Sequence, residues 1–172
     1  MEVTKITSHL VKGLIIGLIL VVISVGVQFS GIKSNSWPVQ LLSTCILIAG
    51  IIWSVWYYGK QKDNFVTFGN LFGHGFKTTA IIAIIVIVFT IIFFVAFPEY
   101  KDKGMEESRK QMEEAGKMTD DQIDQAMDIA KRFFLVFVIG SILVIYAIIG
   151  AISSLIGAAI TKKKPVTPFD GQ

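Results

Sequence analysis

Four long apolar stretches dominate the chain, and the segments between them carry nearly all the charge. The stretches run over residues 13–32, 39–58, 78–97 and 133–160, and none contains Asp, Glu, Lys, Arg or His. A continuous apolar run of about 18 or more residues is long enough to cross a bilayer as a helix. The pattern therefore predicts an all-α membrane protein with four transmembrane helices. Lys5 and Lys12 precede the first span, Pro98 stops the third, and Lys162, Lys163 and Lys164 close the fourth. The fourth stretch would extend about 42 Å against a hydrocarbon core of about 30 Å, more than ordinary tilt absorbs. Its Phe133–Phe137 end is therefore expected to project from the core.

The connections differ in kind. Residues 33–38 allow only a tight hairpin, so the first two helices should pack antiparallel. Trp37 falls at one end of the second helix and Trp53, Trp56, Tyr57 and Tyr58 at the other, as membrane-edge anchors at headgroup level. The connection before the third span carries Phe65, Phe68, Phe72 and Phe76, which share one side of a helix within about 80°. Thr67, Asn70 and His74 fall opposite. That amphipathic pattern predicts an interfacial helix, with Gly69, Gly73 and Gly75 permitting a sharp turn into the span. Before the fourth span, residues 99–132 predict an extramembrane helix–turn–helix. Glu106–Lys110, Arg109–Glu113 and Lys110–Glu114 are spaced i,i+4, Gly116 breaks the helix, and Thr119 with Gln122 forms a capping box. Ile123, Met127, Ala130 and Phe134 then continue at helical spacing into the fourth span. Residues 165–172, with two prolines, read as a disordered tail. The whole is expected to be a single polytopic domain spanning residues 1–172.

Composition narrows the class further. The chain is 53% hydrophobic and only 17% charged, which leaves too little polar sequence to cover four such helices in water. Leu14 to Ile23 could serve as the core of a signal peptide, with a loose cleavage pattern at Ser24-Val25-Gly26. The apolar character continues through Val27, Phe29 and Ile32, however, which favours a retained span. Cys45 is the only cysteine and lies mid-span, where a lone thiol usually packs as a small core residue. The net charge of +3 is no nucleic-acid signature, and the lysines after Ile160 read as membrane-edge anchors.

Reactive groups are sparse. His9 and His74 are far apart in sequence, and no metal-ligand spacing or nucleophile–base motif is present. The sequence around Gly75-Phe76-Lys77-Thr78 misses the spacing of a phosphate loop, and the acidic residues of 99–132 read as a solvated helix surface. No catalytic, cofactor-binding or metal site is expected. Small residues carry more signal: Gly13 and Gly17 on the first span, and Gly150, Ser154 and Ala158 on the fourth, are spaced for close helix approach. They serve either intrachain packing or contact with another chain. Met105, Met112, Met118 and Met127 could likewise adapt to a partner or join the hairpin arms.

Four spans, the stretch from Phe65 through Gly69 and Gly73 to Phe76, a charged insertion before the fourth span and a Lys-Lys-Lys-Pro ending together resemble a bacterial membrane family. It is catalogued as domain of unknown function 4199 and found mainly in Bacteroidota. The resemblance covers most of the chain and implies an inner-membrane protein without an assigned activity. Basic residues are tied between the two sides. The unopposed lysine cluster at the end of the fourth span favours cytoplasmic termini. The expected role is a non-enzymatic subunit, scaffold or accessory of an envelope complex, in contact with membrane lipid and with another membrane protein or a second copy. The alternative is an oligomeric channel or a transporter of lipid or small molecules.

Overall fold

The computed structural model describes residues 7–30 and 36–164; the tight hairpin after the first span and the tail from residue 165 lie outside them. The described chain is all-α. Six helices follow in order: α1 (His9–Phe29), α2 (Trp37–Gln61), α3 (Phe68–Ala96), α4 (Pro98–Ala115), α5 (Asp120–Arg132) and α6 (Phe134–Ile160). Helices α1, α2, α3 and α6 are each long and apolar enough to cross a membrane. Their outward faces carry large apolar side chains, including Leu14, Leu18 and Val22 on α1, Ile84 on α3, and Ile145, Ile148 and Ile152 on α6. Exposed apolar surface on this scale suits lipid as the surrounding solvent, not water.

The chain divides into two compact units, one formed by residues up to 86 with those from 144, the other by residues 87–143. The core of the first unit is a cluster of Ile16, Leu20, Leu47, Ile51 and Ile82, flanked by Tyr146 and Ile149. A second cluster joins Val55, Val66, Leu71 and Ala158. Glycines bring these helices close. A Cβ on Gly13 would lie 2.8 Å from Ile81 Cβ, one on Gly50 3.1 Å from Ile16 Cγ2, and one on Gly157 3.0 Å from Val55 Cβ. Without hydrophobic driving force between helices in lipid, such close van der Waals contact is a main source of their attraction.

Two local expectations are revised. The stretch 65–76 does not form a separate helix that turns at its glycines: α3 starts at Phe68 and runs unbroken through Gly69, Gly73 and Gly75 to Ala96. Glycine lowers helix propensity by about 1 kcal/mol, but packing overrides that cost. A Cβ on Gly75 would lie 2.6 Å from Val55 Cγ2 and 2.9 Å from Ser154 Cβ, so this turn is wedged between α2 and α6. The turn into α3 comes earlier, at Asp63 and Asn64, whose φ values of 51° and 65° are left-handed. Asn64 N–H donates to Gly59 O at 2.9 Å, and its carbonyl accepts from Lys164 N–H at 2.8 Å. Cys45 is exposed on the outward apolar face of α2, not packed in the core.

In the second unit the helical hairpin forms as its sequence predicts. Pro98 opens α4, and Gly116, with φ +61°, ends it in the left-handed conformation that glycine adopts most readily. Both halves of the Thr119/Gln122 capping box are made. Met105, Ile123 and Met127 are buried between the arms, with Met112, Ala130 and Phe134 against them. Three of the four connecting methionines thus join the arms, while Met118 is exposed. Arg109 bonds Glu113 along α4 at 2.9 Å and Asp124 across on α5 at 2.7 Å, which raises its pKa. Helix α5 runs nearly unbroken into α6. Only Phe133 departs, with φ −110°, while its N–H still donates to Ile129 O and its carbonyl accepts from Phe137 N–H.

Candidate functional site: a buried polar network at one end of the first unit

The starts of α1 and α3 and the end of α2 meet at one end of the first unit. Lys12, in the first turn of α1, is only 1% exposed. Its ammonium donates to Ser54 O at 3.2 Å and Gln61 Oε1 at 3.3 Å, and lies 3.5 Å from His74 Nε2. It also sits over the rings of Tyr57 and Tyr58, at 4.9 and 5.8 Å from their centroids. Every one of these partners is neutral apart from the titratable imidazole. Burying a charge without a counter-charge is costly, so the aromatic faces and carbonyl oxygens compensate only part of the lost hydration.

His74 is clamped from several directions. Its ring stacks on Tyr58 at 4.1 Å with an interplanar angle of 9°, and meets the His9 ring edge-on at 6.1 Å. Ser54 Oγ lies 3.3 Å from Nε2 and 3.2 Å from Thr78 Oγ1, and Thr78 Oγ1 donates to His74 O at 2.9 Å. Thr78 spends its proton on the His74 carbonyl, so Ser54 donates to Thr78 Oγ1. Lys12 can only donate, whereas Ser54 Oγ can accept from Nε2, so these contacts fit either tautomer of His74.

Outside this network lies a cavity of about 410 Å³, bordered by Thr7, Ser8 and His9, by Tyr58 and Lys62, and by Gly69, Asn70, Gly73, His74 and Lys77 on α3. Among the described residues no carboxylate lines it. Asp63 is the one acidic residue among the described residues of this unit, and it is exposed on the turn. The described residues hold no group of three or more His, Cys, Asp or Glu side chains arranged for a metal ion.

The residues singled out in the sequence are distributed around this end and along the helix seams. Phe65, Phe68 and Phe76 point outward and are exposed, while Phe72 stacks on Phe76 at 5.9 Å and packs against the Val55–Leu71 cluster. The opposite face, with His74, turns into the protein. Lys163 and Lys164 hold the Phe68 and Phe65 rings at 5.7 and 5.0 Å, and Lys163 Nζ donates to Ala158 O at the end of α6. Lys162 is exposed beside them. Trp56 lies under Lys60 at 3.8 Å and Trp53 stacks on Tyr57 at 5.4 Å. Trp37, exposed at the far end of α2, is separated from Trp56 by about 28 Å of helix, close to the thickness of a hydrocarbon core. Gly13 and Gly17 pack on Ile81 and Ile85, Gly150 on Thr79, Ser154 on Gly75, and Ala158 in the Val55 cluster, all within the chain. The network of Lys12, Ser54, His74 and Thr78 is not visible in the sequence as a site, because its members come from three helices. The i,i+4 spacing of His74 and Thr78, continuous with the third span, was the one available signal.

Four apolar helices with lipid-type outer faces define a multi-pass α-helical membrane protein. The profile of one family, described as a protein of unknown function (DUF4199), matches residues 12–163, and the chain belongs to that family. No curated protein and no solved structure matches it.

Proposed function

We propose that the protein is a non-enzymatic subunit, scaffold or accessory of a membrane complex in the bacterial envelope. In this reading it resides in the inner membrane with both termini cytoplasmic and residues 98–132 outside. The observation that carries the proposal is the apolar packing beyond the polar end. Past Thr78 and Thr79 the described glycine seams of the first unit set Gly13, Gly17 and Gly50 against Ile81, Ile85 and Ile16, around the Ile16–Ile82 core. Such seams build a rigid platform and leave no polar stripe for a solute to follow. The oligomeric channel or transporter is the weaker reading for the same reason.

Native mass spectrometry of complexes extracted from membranes in mild detergent tests the proposal. A stoichiometric assembly with one other membrane protein supports it. A lone chain, together with solute flux through vesicles of the purified protein, overturns it in favour of transport. For the orientation, Ser108→Cys should react with a membrane-impermeant maleimide in cells whose outer membrane alone is permeabilised. Labelling only after inner-membrane lysis reverses the assignment.

A further inference from the structure

We propose that the cavity between the starts of α1 and α3 binds a phosphate group, supplied by the headgroup of an anionic lipid. Three independent observations converge on it. The first is charge. Lys62 and Lys77 line the cavity, Lys12 lies buried behind its His74–Tyr58 wall, and no carboxylate among the described residues offers any of them a partner there. An ionisable side chain held inside a membrane bundle with only neutral or basic neighbours marks a place where a ligand supplies the missing charge. The second is donor chemistry. Thr7, Ser8 and Asn70 add hydroxyl and amide groups to the two ammonium groups, and the His74 ring lines the same space. A phosphate, with oxygens pointing in several directions, can use such a set.

The third observation is vacant wall. Gly69 and Gly73 stand one turn apart on the cavity side of α3, Gly69 at its start and Gly73 inside it, where glycine lowers propensity by about 1 kcal/mol. Packing does not require either. A Cβ on Gly73 would meet no atom within 4 Å, and one on Gly69 only Thr67 Oγ1 at 3.9 Å. Side chains there would project into the open space, so the glycines keep room for an occupant. The volume of about 410 Å³ lies within the range of small-ligand sites. Its depth favours lipid as the source: Trp56 under Lys60 and the outward Phe65, Phe68 and Phe76 place the same end at headgroup level.

Full-length protein in a neutral detergent provides the test, with short-chain phosphatidylglycerol, phosphatidylcholine and inorganic phosphate as separate probes. Phosphatidylglycerol should bind saturably and raise the melting temperature, and phosphatidylcholine should do so at least about tenfold more weakly. Inorganic phosphate that competes with phosphatidylglycerol supports the shared chemistry. Inorganic phosphate that binds while phosphatidylglycerol does not overturns the lipid assignment. Gly73→Leu projects into the space from a position where an added Cβ meets no atom within 4 Å, so it should keep helicity and unliganded stability while weakening phosphatidylglycerol binding about tenfold or more. Lys62→Gln with Lys77→Gln should weaken it comparably, with no change in phosphatidylcholine binding. Unchanged phosphatidylglycerol affinity in the well-folded Gly73→Leu and double-lysine variants refutes the site.

Discussion

Replacing Gly150 by alanine adds one methyl group at the tightest seam of the first unit. The new Cβ would fall against Thr79 Cγ2, 2.7 Å from Thr79 Oγ1 and 2.8 Å from Thr79 Cβ. Threonine cannot yield cheaply. Its branched side chain has few rotamers in a helix, and its hydroxyl donates to Gly75 O at 3.0 Å. Overpacking of this kind costs about 1–3 kcal/mol, and the better helix propensity of alanine returns about 1 kcal/mol of it. The expected net loss is about 0–2 kcal/mol. Thr79→Ala in the same chain removes two of the three close atoms and should restore roughly 1 kcal/mol as a coupling energy in a double-mutant cycle. Gly140→Ala, where a Cβ meets nothing within 4 Å, is the control and should be neutral or slightly stabilising. Reversible unfolding in mixed micelles, followed by the fluorescence of Trp53 and Trp56, measures all four. Zero coupling to Thr79 would show that α3 and α6 do not pack through this seam.

Ile123, 1% exposed between the hairpin arms, should cost about 2–5 kcal/mol of local stability as Ile123→Ala, read as lost amide-exchange protection in α4 and α5. Thr119→Ala removes half of the capping box and should destabilise α5 by about 1 kcal/mol, visible as faster exchange in its first turn. Spin labels walked from residue 65 to 76 should report lipid contact at 65, 68 and 76 and immobilisation at 71, 74 and 75. Uniform water exposure would contradict the inward placement of His74.

Hydropathy alone marked the four candidate spans, because a helix satisfies every backbone group within one continuous uncharged stretch of about 20 residues. The hairpin was equally legible. Gly116, the Thr119 box and the i,i+4 pairs are local devices, and local devices read directly from spacing. Tertiary structure decided what the aromatic–glycine segment is. Its glycines suggested a turn, and only the wedge of Gly75 between Val55 and Ser154 shows why the helix runs through. The same packing fixed which face looks inward: Phe65, Phe68 and Phe76 are exposed, and His74 is carried into the protein. It also brought Lys12, Ser54 and His74 together across sequence separations of 42, 20 and 62 residues. A sequence records each of these as an isolated polar group, Lys12 and His74 beside a span and Ser54 within one. Whether such a group is a solvated edge or a buried charge in want of a partner depends on the neighbouring helices, and these are set only when the bundle closes.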